Sequence, residues 1–444
     1  MTKLSLDTNI LLLDANNLLT LGKNNVIVLA ETVLEEMDSK KSLMNELGYQ
    51  AREFGRILAR STIVSMDKGD TITTTLSVDG ITIKVIALSN YKAIRGDSYN
   101  DQKIIEATIA AEAAFMSNDV MCRLRGLAAG LEVMDFKAVE EADLEFTREC
   151  VIEDVEVFRT LHNTHVLDVI SDHKPENFNY KFSNPLTGQV KLATIDRHVI
   201  NVLGKESEKE LRRQDINPAN CEQLLFSKAL QDPLVDVVVC ESLAGSGKTL
   251  VALSNAIKLV KHHKYDNILY VRASVNDVDD IEEVGFLPGL DEKFAVYLHP
   301  MHDSLDAIVR GRHKASKLKG AELEEKIEAE ITKLVADCSI EATTTLGMRG
   351  RTYNNTIIII DEVQNQSKGS LVKVMTRVGK NCKLVLLGSN RQIDNSYMTK
   401  YTNGLSVILD ACTKEQDVLT IYAVTLQKVV RGVIAEWSER LFSK

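Results

Sequence analysis

Val237-Val238-Val239-Cys240-Glu241-Ser242-Leu243-Ala244-Gly245-Ser246-Gly247-Lys248-Thr249-Leu250 reads as the end of a strand, a tight turn and the start of a helix. The β-branched run predicts a buried strand, and the apolar positions from Leu250 to Val260 recur at helical spacing. Between them, Gly245 and Gly247 let successive backbone N–H groups turn inward, the requirement for cradling a phosphate. The helix N-terminus adds its positive end. Lys248 is expected to reach the β- and γ-phosphates of ATP, and the Thr249 hydroxyl to ligate Mg²⁺. Ala244, Gly245, Ser246, Gly247, Lys248, Thr249 and Leu250 are thus the expected nucleotide contacts. The first position of the motif, usually glycine, is Ser242.

A partner stretch lies downstream, Thr356-Ile357-Ile358-Ile359-Ile360-Asp361-Glu362. Its unbroken isoleucines predict a central parallel strand buried on both faces. Two carboxylates at its end are costly to bury unpaired. Beside a phosphate loop, Asp361 is expected to hold Mg²⁺ and Glu362 to polarise the attacking water. A third strand, Lys383 to Leu387, ends in Gly388-Ser389-Asn390-Arg391-Gln392, whose polar groups are placed to sense a γ-phosphate.

The chain has 444 residues, enough for two or three domains. Acidic residues outnumber basic ones, 63 to 53, so any nucleic acid must meet local basic patches rather than a general positive charge. Seven scattered cysteines without a C-x-x-C pair suit neither a disulfide framework nor a zinc site, and fit a reducing cytoplasm. No apolar run approaches membrane-spanning length, and Met1-Thr2-Lys3-Leu4 lacks a signal-peptide layout.

The N-terminal part shows a different pattern. A short strand ends at Asp7; a second, Val26 to Leu29, leads into a helix carrying Glu36; Asn100-Asp101 opens another helix; Ser117-Asn118-Asp119 follows a strand end. Ile81 to Leu88 reads as a further strand or hairpin arm. Singly, such acids are ordinary solvated or helix-capping groups. Together, Asp7, Glu36, Asp101 and Asp119 fall at one strand edge, where they repel one another unless a divalent cation intervenes. Mg²⁺ or Mn²⁺ takes oxygen ligands and keeps waters, one of which can attack a phosphodiester.

Leu6-Asp7-Thr8-Asn9, Val33-Leu34-Glu35-Glu36-Met37, Asn100-Asp101 and Ser117-Asn118-Asp119 resemble the PIN domain, a metal-dependent ribonuclease fold. The resemblance maps that family's four acids onto Asp7, Glu36, Asp101 and Asp119, with Glu35 and Asp38 close by the second. Gly48-Tyr49-Gln50-Ala51-Arg52 is similar to the helix that follows in long PIN domains.

From Phe136 to Gln214 the signals thin. Segments around Tyr180 and Leu192 flank a Pro185/Gly188 turn and predict a hairpin, and Lys205 to Gln214 reads as a charged helical connector. Val309 to Lys319 is a basic run before the charged helix Glu322 to Leu334; it reads equally as a grip on RNA phosphates or as a solvated helical hairpin. Gln223, on its own a capping-region glutamine, offers the donor and acceptor that an adenine edge needs.

Asn217 to Gln223, the phosphate loop, Gly285-Phe286-Leu287-Pro288-Gly289, Arg349-Gly350-Arg351-Thr352, Ile359-Ile360-Asp361-Glu362-Val363-Gln364-Asn365 and Val429-Val430-Arg431 together resemble PhoH-type ATPases. Ser242, Ser389 and Gly432 depart from that pattern. The resemblance implies that Gln223 contacts adenine. It implies a hexameric ring in which Arg431 reaches a neighbour's site as an arginine finger, with Arg349 or Arg351 the competing candidate and a role within one chain the alternative.

The expected architecture is α/β: a PIN-like parallel-sheet domain over residues 1–138, a linker with a small β element over 139–214, and a P-loop NTPase domain over 215–444. The expected function is ATP-driven movement on, or unwinding of, single-stranded RNA, coupled to Mg²⁺- or Mn²⁺-dependent endonucleolytic cleavage by a cytoplasmic homo-hexamer. The alternative is an ATP-switched RNA-binding scaffold with an inactive PIN domain.

Overall fold

The computed structural model describes residues 2–43, 46–69, 71–88, 99–136, 146–161, 179–196, 199–273, 290–313, 319–345, 347–348, 350–394, 398–414, 418–434 and 437. The chain divides into two compact units after Ala138.

The first unit is built on a seven-stranded sheet in the order β3-β4-β5-β2-β1-β6-β7. These strands are β1 (Thr2–Leu6), β2 (Asn25–Ala30), β3 (Thr62–Lys68), β4 (Thr71–Val78), β5 (Ile81–Leu88), β6 (Ala114–Met116) and β7 (Val133–Met134). From β5 to β7 all neighbours run parallel, which points their carboxyl ends to one edge. Leu4, Leu6, Ile27, Val28 and Leu29 are fully buried there, as a sheet covered by helices on its faces demands. The β3–β4 arm is antiparallel and has no counterpart in the sequence reading. Its threonine-rich β4 lacks a clear apolar alternation, and every residue of β3 is exposed, so no period marks it as a strand.

The second unit holds a six-stranded, all-parallel sheet in the order β14-β13-β15-β16-β12-β17. These are β12 (Val237–Ser242), β13 (Asn267–Arg272), β14 (Ile340–Thr344), β15 (Thr356–Asp361), β16 (Lys383–Gly388) and β17 (Ile421–Leu426). The four isoleucines of β15 are buried on both faces, so each contributes roughly 2 kcal/mol and none is free to serve a site. One face packs Leu253, Ile257, Leu305 and Ile331 from helices. The other packs Leu371 and Leu405 together with Phe146, Tyr180 and Phe182.

Tyr180 and Phe182 belong to a second sheet, and Phe146 immediately precedes it: β8 (Thr147–Val151), β9 (Asn179–Asn184), β10 (Gln189–Asp196) and β11 (Val199–Val202), ordered β11-β10-β9-β8. The hairpin expected around Pro185 and Gly188 is β9–β10. The element is larger than a hairpin and shares a core with the six-stranded sheet. Asn179 Nδ2 donates to the Ala423 carbonyl at 2.9 Å, and Tyr422 donates to Asn179 Oδ1.

Lys383 opens β16 and is buried. Its Nζ donates to the Asp232 carbonyl at 2.6 Å, capping the C-terminus of the Cys221–Gln231 helix that carries Gln223. In the basic run, Arg310 pairs with Asp306 and Glu324, Arg312 with Asp215, and His313 lies on Glu330. These partners make the described part of the run one side of a charged helical hairpin; Lys314 and Lys317 lie outside the described residues. No described helix is long and apolar enough to cross a membrane.

Candidate active sites

The phosphate loop forms at the carboxyl end of β12. Gly245 and Gly247 stand at φ +73° and +84°, the left-handed region that side chains resist. No side chain caps the Lys248–Lys261 helix, which leaves its first amides facing the loop. Ser242, in place of the usual glycine, ends the strand; its Oγ donates to the Gly388 carbonyl at 3.4 Å, so the hydroxyl is absorbed by the neighbouring β16. Ala244 and Leu250 flank the loop, half-buried.

The parallel register brings Asp361 to this loop. Thr249 Oγ1 donates to Asp361 Oδ2 at 2.8 Å, and Glu362 N donates to Oδ1 at 3.0 Å. Lys248 Nζ lies 3.7 Å from Glu362 Oε1, with both side chains mostly buried. All four residues read from sequence therefore converge. The hydroxyl and carboxylate oxygens of Thr249 and Asp361 are the hard donors Mg²⁺ requires, and the bare helix end fits a triphosphate.

Three further residues were not singled out from sequence. Tyr270 on β13 is fully buried and donates to Asp361 Oδ2 at 2.9 Å. Burial beside Asp361 pushes its phenol far above the usual range, so it stays a donor. Gln364 donates to Glu362 Oε2 at 2.7 Å. Glu241, a carboxyl in an apolar strand, accepts from Asn390 N at 3.2 Å. Burial pushes Glu241 up to about 7, against the pull of Arg391 and Lys248. The signal for Glu241 was legible: one carboxylate inside a β-branched run.

Two expected contacts take a specific form here. Gln223 is buried, with Nε2 donating to the Ser246 carbonyl at 2.7 Å and Oε1 accepting from Ala219 N at 2.8 Å. Its amide thus fastens its helix to the phosphate loop and keeps a second N–H and a second lone pair for other partners. Arg431 lies against the loop of its own chain: a Cβ on Gly245 would meet Arg431 Cβ and Cδ at 3.4 Å, and Val430 N donates to the Gly245 carbonyl at 3.0 Å. Arg351 lies elsewhere, among residues at the starts of β13 and β15, stacked 5.3 Å over Tyr353 and 3.6 Å from Glu341. That is the sheet edge opposite the phosphate loop. Arg349 and Gly285 to Gly289 lie outside the described residues.

In the first unit, Asp7 follows β1 and caps the Thr8–Leu13 helix, accepting from Thr8 N at 2.7 Å. Ser117 Oγ and Asn9 Nδ2 donate to its Oδ2 at 2.6 and 2.8 Å. Burial pushes Asp7 up to about 6, opposed by the Ser117 and Thr8 hydrogen bonds and reinforced by Asp101 and Glu36. Glu36 accepts from Thr8 Oγ1 and from Asn100 Nδ2, the latter at 2.7 Å. Asp119 caps the Val120–Ala128 helix through Met121 N and Cys122 N. Burial raises Asp101 as well; Arg125 opposes this through a direct ion pair, and Asp119 and Glu36 add to it.

The four acids thus lie in one another's fields at one sheet edge. Among the described residues, no three His, Cys, Asp or Glu groups stand close enough to enclose an ion as they lie. Mg²⁺ needs only one or two direct carboxylates and reaches others through its waters, so an all-oxygen set of this kind fits it.

A phosphate loop and an Asp-Glu pair at neighbouring strand ends of an all-parallel sheet define a P-loop nucleoside triphosphatase. Within that class the chain belongs to the PhoH-like family: the profile described as "PhoH-like protein" matches residues 215–443. A PIN domain profile matches residues 4–137. Protein PhoH2 of Bacillus subtilis (strain 168) is 26% identical over 431 residues, covering 91% of this chain and 92% of that protein. Protein PhoH2 of Thermobispora bispora is 24% identical and covers 91% and 88%. Protein PhoH of Escherichia coli (strain K12) is 30% identical over 173 residues, covering 39% of this chain and 43% of its own. The chain is an α/β protein with an N-terminal PIN-like sheet and a C-terminal PhoH-type P-loop domain.

Proposed function

We propose that ATP hydrolysis at the phosphate loop drives movement on, or unwinding of, single-stranded RNA, and that the PIN domain cuts this RNA in a Mg²⁺- or Mn²⁺-dependent reaction, in a cytoplasmic homo-hexamer. The observation that carries the hydrolytic half is the convergence of Lys248, Thr249, Asp361 and Glu362. Lys248 and the loop amides bind and orient the phosphates. Asp361, held by Thr249 and Tyr270, presents the metal-holding oxygens. Glu362 accepts a proton from the attacking water, a role commonly contributing about 10²–10⁴-fold. Bound Mg²⁺ would neutralise charge on the phosphate oxygens. In the first unit, the mutually repelling carboxyls of buried Asp7 and half-buried Asp101 support a cation-assisted phosphodiester cleavage.

A second reading has one observation in its favour. Arg125 occupies Asp101 with its own positive charge, which suits an ATP-switched RNA-binding scaffold whose PIN acids no longer cut. Incubating the purified chain with labelled single-stranded RNA, with and without Mg²⁺, Mn²⁺ and ATP, separates the two. Divalent-dependent fragments support the nuclease; RNA retained intact under every condition supports the scaffold.

A further inference from the structure

We propose that Gln364 is a positioning residue that ties the carboxylate of Glu362 to the loop leaving β16, so that the position of this loop sets the aim of Glu362. The inference rests on the ATPase class of the second unit and not on the RNA reading.

Gln364 lies in the short helical turn Val363–Asn365 and is fully buried. Its Nε2 donates to Glu362 Oε2 and to the Gln392 carbonyl, each at 2.7 Å, while its Oε1 accepts from Ser389 N at 3.0 Å. Only this orientation of the amide satisfies its neighbours. Turned over, it would set an NH₂ against an N–H and an oxygen against both a carboxylate and a carbonyl. The fit is built into the backbone as well. A Cβ at Gly388 would come within 2.7 Å of Gln364 Oε1, so the last residue of β16 is one that leaves room for this side chain.

Glu362 needs such a restraint. It stands at φ +61°, ψ +38°, a left-handed conformation that a non-glycine residue resists and that persists only where the surroundings fix it. One of its carboxylate oxygens faces Lys248 and the other is held by Gln364. A nucleotide that draws Lys248 onto its phosphates leaves Gln364 as the side chain that aims the carboxylate.

The loop at the far end of this link is itself gripped from two sides. Asn390 N donates to Glu241 Oε1 on the strand that feeds the phosphate loop. Asn390 Oδ1 accepts from Asn403 Nδ2 at 2.8 Å and Ser406 Oγ at 3.1 Å, at the start of the Gly404–Cys412 helix. A shift of either support therefore moves Ser389 and Gln392, and with them Gln364 and Glu362.

The test is a double-mutant cycle on the full chain without RNA, so that its failure stays separate from failure of the RNA reading. Gln364→Ala and the nearly isosteric Gln364→Glu are made alone and with Glu362→Gln. Single-turnover ATP hydrolysis is followed over hours so that slow variants stay measurable, and affinity for a fluorescent ATP analogue and the thermal midpoint are recorded. We expect each single Gln364 variant to lower the hydrolysis rate about 10–100-fold, a fraction of what a general base supplies. Nucleotide affinity should stay within about threefold of wild type, and adding either variant to Glu362→Gln should cause no further loss. A rate within about twofold of wild type in Gln364→Glu would overturn the proposal. So would an equal loss in both backgrounds, or a loss explained by weakened nucleotide binding or a lowered thermal midpoint in both Gln364 variants.

Discussion

Thr249 Oγ1 donates to Asp361 Oδ2 across 2.8 Å, joining two residues 112 positions apart at the ends of the phosphate loop and of β15. Tyr270 donates to the same oxygen at 2.9 Å. Asp361 therefore enters the reaction already oriented. Tyr270→Phe keeps the ring and removes only the hydroxyl. The Mg²⁺ concentration giving half-maximal ATPase activity should rise about 3–10-fold, the order of the net worth of a single lost hydrogen bond. The rate at saturating Mg²⁺ should stay near wild type. A Mg²⁺ titration of phosphate release checks this, and an unmoved midpoint would remove Tyr270 from the site.

Asp7 is expected to serve only the first unit. Mg²⁺ or Mn²⁺ should raise the thermal midpoint of that unit in the wild type, because a ligand of the folded state alone stabilises it. Asp7→Asn should abolish this increment and the divalent-dependent cleavage of RNA while leaving ATP hydrolysis intact. Differential scanning calorimetry with and without EDTA reads the first part. An equal increment in the variant would show that the metal binds without Asp7.

Lys383 provides a pH signature. Its folded-state pKa is lowered from 10.5 to about 8 by burial, with Asp232 and Asp236 pulling the other way. Between these values the unfolded chain holds a proton that the folded chain has lost, so stability rises with pH across the window. Below about 8 the full cost of the buried charge applies, on the order of 3 kcal/mol. Lys383→Met should flatten the rise between pH 8 and 10.5, read as the difference in urea midpoint from wild type at each pH. An undiminished rise in the variant would assign it to other groups.

Arg431 carries two readings, a finger in trans and a role within one subunit. The resemblance implies a finger reaching a neighbour, whereas Arg431 here packs on Gly245 of its own chain, which supports action within one subunit. Mixing inactive Lys248→Ala and Arg431→Ala proteins, with subunit exchange confirmed, should then restore no ATPase activity. Recovery on mixing would establish the arginine in trans.

The parallel sheet of the second unit was legible because Val237 to Val239 and Ile357 to Ile360 are apolar enough to admit only a doubly covered strand. The loop glycines declared their backbone conformation, and Asp361 and Glu362 stood out as acids after four isoleucines. The acids of the first unit were legible from their places at strand ends. What sequence could not reveal was pairing across the chain: Tyr270 reads as one more apolar residue of β13 until its register with β15 sets Asp361 beside it. Gln223 shows the reverse limit. On its own it reads as a capping-region residue and the resemblance implies an adenine contact, while only the fold shows its amide engaged by Ser246 and Ala219. The β8–β11 sheet was underread because its aromatic residues face the core of another sheet, a partner no local pattern announces.

The central claim is that one chain carries two separable chemistries, ATP hydrolysis at Lys248 and Glu362 and metal-dependent RNA cleavage at Asp7 and Asp101. Its most direct test measures phosphate release from ATP and fragments from labelled single-stranded RNA in the same reactions, with Mg²⁺ or Mn²⁺, for wild type, Lys248→Ala, Glu362→Gln and Asp101→Asn. The wild type should show both activities. Lys248→Ala and Glu362→Gln should lose about 10²-fold or more of ATP turnover, with Glu362→Gln still binding ATP. Asp101→Asn should lose cleavage and keep ATP turnover. Normal ATP turnover in Lys248→Ala, or RNA cleavage undiminished in Asp101→Asn, would contradict the account.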